Sequence, residues 1–351
     1  MNAAEQAAMA LARELGLRVL GTTSPNPPVG AVVLDADGAV VGEGATSPPG
    51  GPHAEVHALS QAGERARGGT AVVTLEPCAH TGRTGPCADA LIAAGVARVV
   101  VAVPEPTQLA TGGATRLRAA GIDVELGAEQ TQAAEGALAA WLTGVRAQRP
   151  HVVWKVATTL DGRVAAADGT SRWITGPAAR AEVHRLRAGC DAVLVGSGTA
   201  LADDPQLTVR DAAGEPAPRQ PLRVVLDRRG RVPATARVHD DAAPTLVSSA
   251  AGPAELLAEL YDRGVRRVLL EGGPTLAAAF LAADLVDEAV VHVAPQLLGA
   301  GAAMVGDLGI STISDALHLH VTDLTRLGGD VQIRLRSTRH TGGAEQTGGG
   351  S

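Results

Sequence analysis

The stretch Pro52-His53-Ala54-Glu55-Val56, followed by Pro77-Cys78-Ala79-His80-Thr81-Gly82-Arg83-Thr84-Gly85-Pro86-Cys87, decides the fold of the first half of the chain. One histidine and two cysteines supply three ligands to a tetrahedral Zn²⁺, and the fourth position then stays open for water. Bound Zn²⁺ lowers the pKa of that water toward neutrality and makes it a nucleophile. His53 and Cys87 each stand at the start of a predicted helix, whose positive end favours a thiolate nearby.

Glu55 lies two residues after the predicted ligand His53, where it can carry protons without binding the metal. A His-x-Glu followed by Pro-Cys and a second Cys is the arrangement of zinc-dependent deaminases. The alternatives are a structural zinc site and a pair of buried thiols unrelated to the His-x-Glu. A structural site needs four protein ligands, and the sequence offers no convincing fourth. The pattern therefore favours a catalytic zinc centre.

The eight residues between the two cysteines form a longer insert than deaminases of this type usually carry. Their histidine, arginine and threonines suggest contacts to a polar or phosphorylated substrate, and the alternative is a solvated surface loop. The third thiol, Cys190, has no neighbours of metal-ligand type. We expect it to be a small buried apolar residue.

The composition bounds the class of protein. A chain of 351 residues is long enough for two domains, and an apolar content of 45% excludes a disordered chain. With one Phe, one Tyr and three Trp, the cores must consist of Val, Leu and Ala. The net charge of −7 argues against a general nucleic-acid binder or a binder of anionic membranes.

The N-terminal residues 1–21 mix charges with apolar residues, which is typical of an amphipathic helix and not of a secretion signal. No apolar run reaches membrane-spanning length. Three cysteines are too few for a disulfide scaffold and fit a reducing compartment. We therefore expect a cytoplasmic protein.

Two α/β segments meet near Gln148-Arg149-Pro150. Short apolar runs alternate with amphipathic stretches in both, which predicts central sheets flanked by helices. Strands are predicted at residues 29–34, 40–44, 71–75, 99–103 and 123–126, and then at 152–157, 192–196, 223–227, 245–248, 267–270, 290–294 and 331–335. Helices are predicted at residues 54–66, 87–94, 114–120 and 129–146, and then at 177–188, 254–263 and 274–282. Residues 211–220 read as a surface loop, and the glycine-rich end as a flexible tail.

In the second half of the chain, the residues alone do not decide between a ligand site and ordinary turns and surfaces. Leu270-Glu271-Gly272-Gly273-Pro274 predicts a strand, a glycine turn and a helix start, which suits a phosphate and equally an ordinary turn. Val195-Gly196-Ser197-Gly198-Thr199 is a second glycine-rich segment, but it lacks the G-x-G-x-x-G fingerprint. Arg180, His184 and Arg187 share one helix face, which is solvated unless Arg187 clamps a phosphate together with Arg210.

The motifs together resemble the RibD-type family of bifunctional diaminohydroxyphosphoribosylaminopyrimidine deaminases and 5-amino-6-(5-phosphoribosylamino)uracil reductases. The resemblance rests on Ser24-Pro25-Asn26-Pro27-Pro28-Val29-Gly30, on the zinc motifs with Thr74-Leu75-Glu76 before them, and on the extended cysteine loop. In the second half it rests on Lys155-Val156-Ala157-Thr158-Thr159-Leu160-Asp161-Gly162-Arg163, Ser171-Arg172-Trp173-Ile174-Thr175, residues 201–210 and residues 271–276. It extends to about Arg336.

The resemblance implies a cytidine-deaminase-like α/β/α domain over residues 1–147, a dihydrofolate-reductase-like α/β domain over residues 150–338, and a tail from 339 to 351. It implies one Zn²⁺ held by His53, Cys78 and Cys87, with Glu55 as the catalytic residue. The pyrimidine and ribose phosphate of the first substrate would contact Asn26, His80, Arg83 and Thr84. Residues implied to line NADPH are Ala157, Trp173, Thr199, Asp203, Arg228, Gly273, Pro274, Thr275, Leu276, Ala277, Ala278 and Ala279. Residues implied to hold the second substrate are Lys155, Ser171, Arg187, Asp203, Leu207, Arg210 and Glu271.

The family activity has two steps. The first deaminates 2,5-diamino-6-ribosylamino-4(3H)-pyrimidinone 5′-phosphate with zinc-activated water, and the second uses NADPH to reduce the ribosyl group of the product to ribityl. Arg228, just past a predicted strand, suits the 2′-phosphate of NADPH. The implied partners are these small phosphoribosyl pyrimidines, with no nucleic acid and no membrane, and the chain is expected to form a homo-oligomer.

Two positions depart from the family pattern. Thr46 stands where the family usually has a His, and Gly112 stands where it commonly has a basic residue. Both changes affect expected substrate contacts, and neither removes a metal ligand or Glu55. Three alternatives remain open at this point. They are a zinc deaminase of another nucleoside or base with a non-catalytic nucleotide-binding second domain, a zinc-stabilised regulator, and a two-domain enzyme in which only the reductase is active.

Overall fold

The computed structural model describes residues 1–80, 85–211 and 213–337. The implied substrate residues Arg83 and Thr84 and the predicted tail over residues 339–351 lie outside the described residues. Contacts within the chain divide it into two compact units, Met1–Arg149 and Pro150–Ser351. Among the described residues, no helix is both long and apolar enough to cross a membrane.

The first unit is built on a five-stranded sheet in the order β2-β1-β3-β4-β5. Its strands are β1 (Gly30–Leu34), β2 (Val40–Ala45), β3 (Thr70–Leu75), β4 (Arg98–Val103) and β5 (Asp123–Leu126). Strand β1 pairs antiparallel with β2 and β3, whereas β3, β4 and β5 run parallel. The helices are α1 (Ala3–Arg18), α2 (Ala54–Ala62), α3 (Cys87–Ala94), α4 (Gly113–Ala119), α5 (Gln130–Ala134) and α6 (Ala139–Ala147), with a 3-10 helix at Gly63–Ala66.

The local sequence explains how α1 begins and how closely it packs. Asn2 caps the helix through its side-chain oxygen, which accepts from the amide of Glu5 at 2.9 Å, while the Glu5 carboxylate accepts from the amide of Asn2 at 2.7 Å. A Cβ on Gly30 would lie 1.9 Å from the carbonyl oxygen of Ala12, so only glycine lets α1 approach β1 this closely.

The second unit is built on an eight-stranded sheet in the order β12-β13-β11-β6-β10-β7-β8-β9. Its strands are β6 (His151–Thr159), β7 (Ala192–Gly196), β8 (Leu222–Leu226), β9 (Thr245–Ser248), β10 (Arg267–Leu270), β11 (Glu288–Ala294), β12 (Leu319–Leu327) and β13 (Asp330–Ser337). The strands from β11 to β9 run parallel, and β12 and β13 form an antiparallel extension beside β11. The helices are α7 (Pro177–Ala188), α8 (Ser197–Asp203), α9 (Pro253–Asp262) and α10 (Pro274–Ala282), with 3-10 helices at Arg237–His239 and Ile313–Asp315.

Both cores consist mainly of aliphatic side chains, as the composition predicts. Strand β1 is buried along its whole length and the other central strands at most positions, because helices cover both faces of a mostly parallel sheet. Phe280, the single phenylalanine of the chain, is fully buried in the second unit. Cys190 is buried there as predicted, and burial raises the pKa of its thiol to about 12.

Three details of the predicted secondary structure are wrong. The single helix expected over residues 129–146 is two helices, α5 and α6, with Gly136 between them. Strand β12 was missing from the prediction because its residues are mostly exposed and polar, so they lack a strong apolar alternation. Helix α8 was also missing, since its seven residues follow a glycine-rich segment directly.

Candidate active sites

The three predicted zinc ligands meet in the first unit. His53 is the N-cap residue of α2, Cys78 follows β3, and Cys87 opens α3. The His53 Nδ1 atom lies 3.2 Å from the Cys87 Sγ atom and 3.8 Å from the Cys78 Sγ atom. Tetrahedral zinc with ordinary Zn–N and Zn–S bond lengths would set these atoms about 3.6 Å apart. The three ligand atoms, all within 4.8 Å of one another, therefore fit one Zn²⁺ ion.

The two cysteines share a negative charge. Hydrogen bonding from Cys87, with help from His53, lowers the pKa of Cys78 to about 4. Hydrogen bonding to Cys78 and burial raise the pKa of Cys87. The backbone amide of Cys87 also donates to the Cys78 sulfur at 3.4 Å. Two cysteine sulfurs and an imidazole nitrogen are the donor set that divalent zinc prefers, and Cys87 would give up its proton when the metal binds.

Glu55 lies in the first turn of α2 and is 5% exposed. Burial raises the pKa of its carboxyl group above the ordinary range. It lines a cavity of about 170 Å³ together with His53, Cys78, Asn26 and His80. A carboxyl group with a raised pKa takes up a proton more readily than an ordinary one, which suits a group that transfers protons beside a metal site.

Several further side chains line this cavity, and the motif analysis gave them no role. They are Glu76, Glu105, Thr107 and Trp141. Glu76 connects two segments of the cavity wall. Its two carboxylate oxygens accept hydrogen bonds from the backbone amides of Ala114 at 2.8 Å and of Glu105 at 3.1 Å. Glu76 stands next to Pro77-Cys78, and Trp141 is one of three tryptophans, so both had a signal in the sequence.

Thr46, which stands where the family usually has a His, forms a hydrogen bond with the backbone. Its hydroxyl accepts from the amide of Val29 at 3.1 Å, and the side chain is buried in the cavity wall. This contact fixes the segment that carries Asn26, because Val29 lies three residues after it. Thr46 therefore departs from the family pattern but still holds the cavity wall in place.

The second unit contains a larger cavity, of about 770 Å³, at the carboxyl ends of its parallel strands. Ligands of open parallel sheets bind at this edge. Of the predicted cofactor and substrate residues, those that line this cavity are Lys155, Ala157, Ser171, Thr199, Asp203, Arg228, Glu271, Gly273, Pro274, Thr275, Leu276 and Ala279. The size of the cavity and its glycine turn at the start of α10 fit a dinucleotide cofactor.

The structure does not bring six other predicted residues to the lining of this cavity. Ala277 and Ala278 face the core, and Leu207 is buried in a hydrophobic cluster. Trp173 is 68% exposed, and its ring stacks on the guanidinium of Arg180 at 4.6 Å. The last two are Arg187 and Arg210. Arg210 donates to the side-chain oxygen of Gln206 at 2.6 Å and to the carbonyl of Gly214 at 2.8 Å.

Three largely buried charges lie together, and two of them, Lys155 and Glu271, line the cavity. Arg187 donates to both carboxylate oxygens of Glu271 and to the carbonyl oxygen of Thr208. Burial alone would raise the pKa of Glu271, but the charges of Arg187 and Lys155 lower it instead. Burial lowers the pKa of Lys155, which is the single lysine of the chain. Glu271 therefore stays ionised, and Lys155 is the group whose proton is easier to remove than usual.

Comparison with known proteins identifies the family of both units. A model of the RibD C-terminal domain matches residues 150–333, and a model of the cytidine and deoxycytidylate deaminase zinc-binding region matches residues 2–103. The chain belongs to the RibD family. It is 51% identical to the riboflavin biosynthesis protein RibD of Mycobacterium tuberculosis over 93% of this chain and 96% of that protein. The same protein of Escherichia coli is 42% identical over 93% of this chain and 98% of its own length.

Two solved structures share the whole architecture. RibD of Acinetobacter baumannii superposes with a TM-score of 0.85 at 42% identity, covering 95% of this chain and 99% of its own. A deaminase/reductase of Thermotoga maritima superposes with a TM-score of 0.86 at 35% identity and the same coverage. The fold class predicted from the sequence is confirmed, and so are the zinc and NADPH cofactors of the family. The chain is a bifunctional deaminase and reductase of riboflavin biosynthesis.

Proposed function

We propose that residues 1–147 deaminate 2,5-diamino-6-ribosylamino-4(3H)-pyrimidinone 5′-phosphate and that residues 150–338 reduce the deaminated product with NADPH. The observation that carries the first half is the convergence of His53, Cys78, Cys87 and Glu55 on one cavity. The second half rests on the cavity that joins Lys155 and Glu271 to the glycine turn before α10.

In the first step, zinc bound by His53, Cys78 and Cys87 would supply an activated water to the amino-bearing pyrimidine carbon. Glu55, with a pKa raised by burial, would accept one proton of that water and deliver it to the ring nitrogen. It would then carry the proton of the added hydroxyl group to the amino group, which leaves as ammonia. Asn26 and His80 line the cavity, where they hold the pyrimidine. Arg83 and Thr84 are assigned to the ribose phosphate by resemblance alone.

In the second step, NADPH would supply the hydride that converts the ribosyl group to ribityl. Lys155, Asp203 and Glu271 surround the reacting carbon, and Ser171 holds the substrate beside them. Buried Lys155 gives up its proton more readily than an exposed lysine, so it can donate a proton to the sugar as the hydride arrives. The main contribution of the protein is to hold the cofactor and the sugar close together in the orientation that hydride transfer requires.

Arg187 has a different environment from the one that its predicted phosphate contact requires. Its guanidinium is occupied by Glu271 and by the Thr208 carbonyl. We assign it the task of holding Glu271, and we leave the substrate phosphate to Ser171, because Arg210 is occupied by Gln206 and Gly214 and does not line the cavity. A cytoplasmic location and a homo-oligomeric state complete the proposal.

The test is a coupled assay that follows NADPH oxidation by absorbance, with the undeaminated pyrimidine ribosyl phosphate as the substrate. We expect oxidation with the zinc-loaded chain and none with Glu55→Gln. The same variant should oxidise NADPH when it receives the deaminated product, which separates the two sites. Lack of oxidation with either substrate would contradict the proposal, and activity on unphosphorylated cytidine would favour a nucleoside deaminase.

A further inference from the structure

A buried polar pair lies beside the wall of the reductase cavity. His292 on β11 is fully buried, and its Nε2 atom lies 3.0 Å from the Oε1 atom of Gln332, its neighbour on β13. On the other side of β11, His292 is the register partner of Ala157 on β6, which lines the cavity. Neither His292 nor Gln332 is among the described residues of the lining. The imidazole therefore lies next to the site but outside the space that a ligand occupies.

The hydrogen bond to Gln332 fixes the tautomer of His292. An amide oxygen only accepts, so Nε2 carries the proton and Nδ1 keeps a lone pair. Burial, together with the positive charge of Lys155, lowers the pKa of His292 to about 4, so the ring is neutral near pH 7. In the described part of the chain, no hydrogen-bond partner reaches the buried Nδ1 atom. A buried acceptor without a partner is costly, and its retention indicates a role.

The strand order turns that lone pair toward β6. Strands β13 and β6 lie on opposite sides of β11. The two nitrogens of an imidazole ring point away from each other, so a ring whose Nε2 is bound on the β13 side directs Nδ1 to the β6 side.

Lys155 lies on that side and on the same face of the sheet. It is the register partner of Val290, two residues before His292 on β11, and residues two apart on a strand share a face. Strands about 4.8 Å apart with about 3.3 Å per residue set the Cα atoms of Lys155 and His292 roughly 8 Å apart. A long lysine side chain covers most of that distance.

The ammonium group of Lys155 is poorly stabilised by its charged neighbours. Glu271 acts on it through charge, but both oxygens of that carboxylate already accept from Arg187, whose own positive charge opposes the ammonium. Burial opposes it further. A neutral acceptor on the next strand favours the ammonium form without adding charge to the site. The charged and titratable groups around the pair are Glu271 after β10, His184 and Arg187 on α7, Asp203 on α8, and Asp330 and Arg334 on β13.

We propose that His292 is a positioning residue of the reductase, whose Nδ1 lone pair, directed by Gln332, holds the Lys155 ammonium group in place at the cavity. One bridging water or a small rotation of the lysine side chain completes the contact. His292 lies outside the cavity, so it acts only through Lys155. The inference rests on the proposed role of Lys155 as the proton donor, and it adds the group that keeps the proton on that lysine.

The test measures the reductase rate against pH, with NADPH and the deaminated ribosyl substrate at saturation. His292→Phe keeps a buried ring but removes the lone pair, so Lys155 should lose its proton at a lower pH. We expect the basic limb of the profile to move down by about one pH unit, which lowers kcat on that limb about tenfold. KM for NADPH should change less than about twofold, because the ring does not touch the cofactor. Gln332→Leu frees the tautomer and should shift the profile less, in the same direction.

Two variants serve as controls. His292→Asn places an amide oxygen where Nδ1 stands and should restore most of the wild-type profile. Val291→Ala removes buried atoms from the same strand on the opposite face, and it should leave the profile unchanged. Urea denaturation shows whether each variant is folded.

An unshifted basic limb in folded His292→Phe, or an equal shift in His292→Asn, would overturn the inference while leaving the reductase itself in place. If His292→Phe does not fold, Gln332→Leu decides, and an unshifted profile there overturns the inference. A wild-type chain that does not oxidise NADPH with this substrate would instead contradict the proposed function.

Discussion

Arg187 and Glu271 form a bidentate ion pair, with Nε to Oε1 at 2.6 Å and Nη2 to Oε2 at 2.8 Å. Arg187 projects from α7 and Glu271 follows β10, so the pair joins a helix to the carboxyl end of a central strand. Both side chains are mostly buried. A buried charge that loses its partner is far more costly than a broken surface pair.

Arg187→Met should therefore lower the free energy of unfolding of the second unit by about 3–5 kcal/mol, since it leaves the Glu271 carboxylate buried without its partner. The reductase should lose nearly all activity, because Glu271 faces the cavity. Urea denaturation and NADPH oxidation measure the two effects. Arg185→Met, on the same helix but largely exposed, is the control and should cost under about 1 kcal/mol. Similar losses in both variants would argue against a special role for the pair.

Removal of the metal should separate the two activities. We expect one zinc per chain by elemental analysis, and neither Cys78→Ser nor Cys87→Ser should retain it, because two ligands hold zinc weakly. Deaminase activity should vanish while reduction of the deaminated product continues. Cys190→Ala, which changes the third thiol outside the cluster, should keep full zinc content. Zinc loss in that variant would contradict the assignment of ligands.

Gly113 fixes the distance between α4 and the Cys78 segment. A Cβ at this position would lie 1.7 Å from the carbonyl oxygen of Pro77, so Gly113→Ala must move the backbone beside a ligand. We expect weaker zinc binding, by about tenfold or more, and a lower deaminase kcat. Gly85→Ala is the matched control, since a Cβ there would meet nothing within 4 Å. Competition with a chromophoric chelator measures the affinity, and equal affinities would contradict the prediction.

Asp240 should make stability depend on pH in the acid range. The hydrogen bond from buried Arg223 lowers the pKa of Asp240 to about 2, below the value near 3.9 of an unfolded chain. Its contribution is therefore complete above about pH 4 and is lost as the pH falls toward 2.

Asp240→Asn should accordingly be less stable than wild type at neutral pH, and the difference should shrink through the window from about pH 4 to about pH 2. Urea midpoints at several pH values measure this. Asp241→Asn, an exposed neighbour with the same loss of charge, serves as the control. A difference that stays constant down to pH 2 would show that the Arg223 contact does not depend on the charge of Asp240.

The sequence predicted much of the fold, because parallel strands buried on both faces appear as continuous apolar runs. The strands at Ala192–Gly196, Thr245–Ser248 and Arg267–Leu270 were predicted with the bounds that the structure has. The prediction failed at β12, whose exposed residues lack such a run, and at Gly136, which divides one expected helix into two. The zinc motif, the family and its two activities were also evident from the sequence, because metal ligands require fixed residue types at fixed spacing.

Sequence alone did not decide which side chains share a cavity. Arg187 was predicted to meet a substrate phosphate, but the fold pairs it with Glu271, and it places Arg231 against Ser197 at the cavity wall. Residues far apart in the chain meet only when the sheet order and the helix packing are set. The sequence by itself determined the chemistry of the zinc site, because its ligands lie in short motifs with a recognisable order. Tertiary structure decided the partners of the arginines, because one guanidinium can pair with any acceptor that packing brings within reach.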